Sequence, residues 1–276
     1  EHDFRGYIHL KTIPEADAEI IHNAGLYADR VSINVELPTT AGLTRLAPDK
    51  NAGQIEGAMG RTKARIIEAK DERKRFRHAP RFAPAGQSTQ MIVGADGASD
   101  SAIIGKASRL YGDFGLRRVY YSAFSPIPDA SAVLPLKRPP LLREHRLYQS
   151  DWLMRFYGFA PQEVADAAEA DGNLPLDIDP KLAWALKFRE SFPVDVNRAP
   201  REMLLRVPGL GTKAVARILA SRRHRRLRLD DVARLTASVA KVRPFICTVD
   251  WRPTFLTDRA DLRGLLTRKS EQLELF

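Results

Sequence analysis

The segment Pro208-Gly209-Leu210-Gly211-Thr212 places two glycines one residue apart, just ahead of apolar residues at helical spacing. Glycines let a backbone approach a phosphate closely, and the first amides of a helix are unpaired donors carrying partial positive charge. The chemistry on offer is capture of an anion. Lys213 and Arg217, one turn apart, add charge on the same side, and Arg222, Arg223, Arg225 and Arg226 extend the basic footprint. A second set has a different character. Asn34 and Glu36 end a β-rich run at i and i+2, so a regular strand points both to one face. Gly94 and Ala95 end another such run. These residues read equally well as the mouth of a ligand site or as half-buried strand ends, and His9 equally as a ligand or a core histidine. The single cysteine, Cys247, excludes an internal disulfide and any multi-cysteine metal site supplied by this chain alone. Its apolar flank, Pro244 to Val249, suits a structural thiol. The sequence has no Gly-x-Ser-x-Gly elbow, His-rich metal motif or P-loop, which argues against a hydrolase.

Charge is placed unevenly. From Lys181 to Phe276 there are 21 Lys and Arg against 10 Asp and Glu, whereas the first 180 residues hold 23 against 24. Such asymmetry leads us to expect that the later part meets a polyanion and the earlier part does something else. A second basic run, Arg73-Lys74-Arg75-Phe76-Arg77, reads better as a solvated helix end. With 44% hydrophobic and 28% charged residues, the composition is that of a globular chain. No apolar run approaches the roughly 18 residues of a membrane span. The chain opens on polar residues from Glu1, without a leader's apolar core and without Met, so a cytoplasmic, processed or partial chain is expected.

The elements that must position these groups can be read in order. Strands are expected at Tyr7–Lys11, Val31–Leu37, Gln90–Gly94 and Arg118–Ala123. Helices are expected between them, at Pro14–Ala28, Asn51–Lys74 and Ser99–Tyr111. Three alternations of strand and helix imply parallel strands joined by right-handed helical crossovers. The proline-rich stretch from Ser125 to Pro140 reads as a linker or a strap across a surface. Helices follow at Arg143–Tyr157, Pro161–Ala170 and Pro180–Arg189, the last with Trp184 and Phe188 on one core-facing side. Asn197 is expected to cap a short helix from Arg201 to Val207. A second helix from Thr212 carries Ala214, Val215, Ile218 and Leu219 as its apolar stripe, and Pro244–Val249 is expected to be a strand.

Val196-Asn197-Arg198-Ala199-Pro200, Val207-Pro208-Gly209-Leu210-Gly211 and Ala214 to Arg222, with Leu229 to Leu235 after them, resemble the helix-hairpin-helix DNA-binding modules. The resemblance implies contact with the DNA phosphate backbone and little sequence preference. Gly6 to Lys11, Val31 to Pro38, Gln90 to Ala95 and Tyr120 to Phe124 look like later strands of a radical S-adenosylmethionine barrel. With the hairpin, they resemble a bacterial radical S-adenosylmethionine family ascribed to DNA modification or repair. The fold this implies is α/β: a partial parallel (β/α) barrel over 1–140, a helical connector over 141–190, a helix-hairpin-helix region over 191–249 and a tail over 250–276. Asn34, Glu36 and Gly94 would then face S-adenosylmethionine. That family holds a [4Fe–4S] cluster through three closely spaced cysteines, and this sequence departs from it in having only Cys247. The expectation is a chain whose cluster-binding half lies elsewhere, in a separate or missing portion, and which performs no radical chemistry alone. The alternative is a non-catalytic DNA-binding adaptor.

The last five residues, Gln272-Leu273-Glu274-Leu275-Phe276, resemble the short peptide by which bacterial repair and replication proteins dock on the sliding clamp. In that resemblance Gln272 hydrogen-bonds backbone while Leu273, Leu275 and Phe276 fill apolar pockets.

Overall fold

The computed structural model describes residues 4–127, 133–253 and 259–267. The chain divides into two compact units, Glu1–Leu147 and Tyr148–Phe276.

The first unit alternates strand and helix: β1 (His9–Lys11), α1 (Ala18–Tyr27), β2 (Arg30–Ser32), α2 (Thr40–Leu46), α3 (Ala52–Arg75), β3 (Gln87–Val93), α4 (Asp100–Phe114) and β4 (Arg118–Ala123). The four strands are parallel and lie in chain order, β1-β2-β3-β4. Each of the four helices has a side-chain N-cap: Asp17, Thr39, Asn51 and Ser99 accept the amides of Glu19, Gly42, Gln54 and Ala102. These caps satisfy donors that a helix start leaves unpaired. α4 ends on Gly115 in the left-handed conformation, its amide bonded to the Tyr111 carbonyl at 3.1 Å. α2 is not among the expected helices, being too short for a periodic pattern.

The sheet's two faces differ. Val31, Met91, Val93, Val119 and Tyr121 alternate onto one face and are buried. Val31 packs with Ile66, Ala69 and Phe82, and the Gln87 amide donates to the carbonyls of Met59 and Phe114 at 3.0 and 2.7 Å. Helices α3 and α4 therefore cover this face. The register turns His9, Lys11, Ser88, Gln90, Tyr120 and Ser122 the other way. His9 and Lys11 are exposed, and Gln90, Tyr120 and Ser122 are half-buried.

The second unit follows within α5 (Leu141–Phe156), which spans the division, and continues through α6 (Pro161–Asp166), α7 (Pro180–Lys187), β5 (Val194–Asp195), α8 (Arg201–Arg206), α9 (Thr212–Ser221), α10 (Leu229–Leu235), α11 (Val239–Val242), β6 (Ile246–Cys247) and α12 (Leu262–Thr267). β5 and β6 pair in parallel. The core is an aromatic chain. Trp184 meets Phe159, Phe188 and Phe192 at centroid distances of 5.5, 5.0 and 6.2 Å, and Phe192 meets Phe245 at 5.1 Å. Such pairs add about 0.5–1.5 kcal/mol each beyond area burial. Trp184 and Phe188 are thus packing residues, as their spacing suggests. Arg206 ties α8 to α6, gripping Glu163 with Nε at 2.8 Å and a second nitrogen at 2.6 Å.

Candidate functional site

The α8–α9 hairpin is built by two glycines with unequal duties. Leu210 donates its amide to the Val207 carbonyl at 3.2 Å, closing the turn around Gly209, whose φ is +83°. A Cβ on Gly209 would stand 2.8 Å from Val242 Cγ2 and 3.1 Å from Lys241 Cβ, both on α11. Gly209 is required twice over, by its conformation and by its packing. Gly211 has an ordinary extended backbone, φ −86° and ψ 166°, and a Cβ there would meet only the Tyr157 hydroxyl, at 3.7 Å. Folding does not demand glycine at 211, so what its small size offers is access to the start of α9.

That start has no side-chain cap, unlike those of α1 to α4. Its first amides, beginning with that of Thr212, carry no side-chain acceptor and remain donors for an outside one. α9 buries Ala214, Val215 and Ile218 and exposes Lys213, Ala216, Arg217 and Ala220 along the opposite face. Lys213, Arg217, Arg223 and Arg226 are all exposed and form no ion pair among the described residues. The other two expected cations have structural work. Arg222 turns one nitrogen onto the carbonyls of Val196 and Ala199 at 3.1 and 2.7 Å, and Arg225 pairs with Asp231, whose other oxygen accepts the Arg228 amide.

Asn197 does not cap α8. The residue before that helix is Pro200, and Asn197 instead reaches residue 227. Its side-chain nitrogen donates to the Leu227 carbonyl at 3.1 Å, and its side-chain oxygen accepts the Leu227 amide at 2.7 Å. A side-chain amide thus substitutes for a strand partner. Cys247 lies half-buried in β6, its thiol pushed up by burial and by the nearby Asp195 charge, which makes it a poor nucleophile. The strand around it is only two residues long, because Arg243–Phe245 form a 3-10 turn and the Thr248 amide turns back to Trp251.

Sequence reasoning misses a buried lysine behind the hairpin. Lys181 is 8% exposed, its ammonium donates to the Leu210 carbonyl at 2.6 Å, and it lies 4.8 Å from the centroid of the Tyr157 ring. Burial lowers its pKa to about 7 against the opposing pull of Asp179. Nothing in Asp179-Pro180-Lys181-Leu182 distinguishes this lysine from a solvated one.

In the first unit the strand bearing Asn34 and Glu36 is not regular. β2 leaves its ladder after Ile33, whose amide reaches the Ser88 carbonyl; the Val35 amide is accepted by the Thr89 hydroxyl at 3.0 Å. The Leu37 amide then closes onto the Val35 carbonyl at 2.7 Å, making a γ-turn centred on Glu36, whose φ is +60°. Pairing resumes there, the Ile92 amide donating to the Glu36 carbonyl. The expected simple i, i+2 geometry is replaced by a strained turn of an uncommon kind. Asn34 is 8% exposed and its side chain has no hydrogen-bond partner among the described residues; Glu36 lies 3.8 Å from Lys11.

Gly94, φ +80°, is covered by Pro139, whose Cγ would be 2.8 Å from an added Cβ. The proline-rich stretch does strap the surface at this point. Ala95 is buried. Next to it, Asp96 accepts the Thr39 hydroxyl, and the fully buried Asp100 is held by Arg143 at 2.7 Å. His9 is not a core residue: it lies on the edge strand with its ring nitrogen 3.3 Å from the Ser88 hydroxyl, its pKa lowered by partial desolvation and by Arg30.

No protein-family profile, curated protein or solved structure matches the chain. Among the described residues, no three His, Cys, Asp or Glu side chains gather as a metal site, and no helix is long and apolar enough to cross a membrane. Gln272, Leu273, Leu275 and Phe276 lie outside the described residues.

Proposed function

We propose that this chain binds duplex DNA through its phosphate backbone, using the α8–α9 hairpin. The observation that carries this reading is the uncapped start of α9, reached past Gly211 and flanked by exposed Lys213 and Arg217, neither in an ion pair among the described residues. Free amides at a helix start together with solvent-facing cations are what a phosphate requires. Fluorescence anisotropy of the full chain with duplex DNA should give a Kd in the range of roughly 10⁻⁴ to 10⁻⁶ M at physiological salt. Lys213→Gln with Arg217→Gln should weaken binding and lower the salt slope by about 0.9 for each phosphate no longer neutralised. Unchanged affinity and slope would remove the hairpin from the mechanism.

The first unit fits, on the same proposal, the later wall of a (β/α) barrel of the radical S-adenosylmethionine type. Parallel strands in chain order, helices over one face and polar side chains on the other support that reading. Exposed Tyr7, Leu10, Ile13, Ile20 and Tyr27 around β1 and α1 suit the addition of further βα units from another portion or chain. The donors of this chain do not fit the cofactors themselves. One half-buried cysteine cannot replace three thiolates, and Pro139 fills the space over Gly94 where S-adenosylmethionine would have to lie. No radical step is assigned to it. The tail belongs to the proposal as a clamp-docking peptide, tested by titrating purified sliding clamp against the full chain and against a form lacking Leu275 and Phe276. Micromolar-range binding should vanish in the shortened form.

A further inference from the structure

Behind the hairpin, the end of α5 and the start of α7 border an open cleft of about 170 Å³, lined among others by Gln149, Trp152, Tyr157, Asp179 and Lys181. It is smaller than the roughly 300–1,000 Å³ of sites for drug-sized ligands, so it suits a single ring system. Its walls are aromatic. Trp152 is 56% exposed although it belongs to a packed helix, and its ring is held edge-on by Phe156 at 6.4 Å and 84°. Tyr157 forms the inner wall, with the Lys181 ammonium over its ring. Gln149 and Asp179 place an amide and a carboxylate at the same opening, the latter also capping α7 through the Leu182 amide at 2.9 Å.

The cleft and the hairpin are one piece of structure. Lys181 links them through the Leu210 carbonyl, and the Tyr157 hydroxyl lies against Gly211 at the mouth of α9. A strand whose phosphate rested on α9 would lie beside this aromatic opening. We infer that the cleft receives one unstacked nucleobase of the DNA strand whose phosphate rests on the hairpin. The base stacks on the exposed Trp152 ring, with Tyr157 bounding the cleft behind it and Asp179 meeting its polar edge. This rests on the DNA reading above and adds to it a preference for DNA in which a base is already unpaired. Stacking on aromatic side chains tolerates any base, so the preference is for unpairedness rather than for sequence.

The test compares the full chain on a perfect duplex with the same duplex carrying one bulged 2-aminopurine. The bulged probe should bind about tenfold tighter, the scale of one base–aromatic stack, and its fluorescence should be quenched on binding. Trp152→Ala should abolish both the gain and the quenching, so that the two probes bind alike; Trp152→Phe should keep most of each. Lys213→Gln with Arg217→Gln should weaken both probes alike. Equal affinity of the unaltered chain for the two probes, or a gain that survives Trp152→Ala, would overturn the base site and leave the hairpin reading standing. Absence of binding to either probe would overturn both.

Discussion

Two candidate sites of this molecule each contain a residue in the left-handed conformation, and they handle it in opposite ways. At the hairpin the residue is Gly209, at φ +83°, where glycine adopts the conformation without strain. At the end of β2 it is Glu36, at φ +60°, where a carboxylate-bearing side chain is kept and the strain remains. The difference teaches what each backbone is for. The hairpin needs a shape, and the sequence supplies the residue that makes the shape free of strain. The β2 turn keeps a carboxylate beside the buried Asn34 at a positive φ that glycine would adopt more readily.

The largest effect should come from Gly209→Val. A left-handed β-branched residue and the clash with Val242 together should cost about 2–4 kcal/mol in urea unfolding. Gly211→Ala, two residues on, should stay within about 0.5 kcal/mol yet weaken DNA binding. If the two glycines prove equally sensitive in stability, the division of duties between them is wrong.

Next in size is the hairpin's buried charge. Lys181 has a folded pKa of about 7, below its ordinary value, so between about pH 7 and 10 the unfolded chain binds more protons than the folded one. Stability therefore rises with pH across that window, and below it the full cost of burying the charge is felt. Melting of the wild type should gain about 1–3 kcal/mol from about pH 6.5 to 9, and Lys181→Met should flatten this rise. A wild-type profile that falls over the same range would mean that the ammonium is stabilised where it lies.

Arg222→Gln, removing the donor to Val196 and Ala199, should destabilise by about 1–2 kcal/mol. Arg223→Gln should leave thermal stability alone and act on the salt dependence of DNA binding. The smallest effect is the most pointed. Glu36→Gly should stabilise by about 0.5–1 kcal/mol, because strain is released and only a weak, partly exposed pair with Lys11 is lost. Loss of stability on that change would show that the turn is not strained and would end the comparison.

Much of the framework is legible in the sequence. β4 can be read to the residue, α3 and the hairpin nearly so, because their apolar periods and glycines act locally. β3 begins at Gln87, three residues before the expected start at Gln90, because Gln87, Ser88 and Thr89 are buried polar residues whose partners are distant helices and strands. The break in β2 is invisible for a related reason: it depends on the Thr89 hydroxyl taking the Val35 amide from another strand. At the hairpin, composition can count arginines but cannot separate Arg223 and Arg226 from Arg222 and Arg225, which are engaged within the fold. Asn197 illustrates the limit well. Its type and place suggest a cap, and only the return of the chain at Leu227 offers it the better use.

The order of strands has a further consequence, in the sequence of events by which the molecule is made. In the first unit each strand after β1 pairs with the strand synthesised just before it, so the sheet can grow one βα step at a time as the chain leaves the ribosome. The second unit is closed differently. β5 must wait for β6, which is made only after α8, α9, α10 and α11. A nascent chain halted just after α9 would carry all four strands of the first unit's sheet and a hairpin that lacks both its two-stranded clasp and the α11 surface on which Gly209 packs.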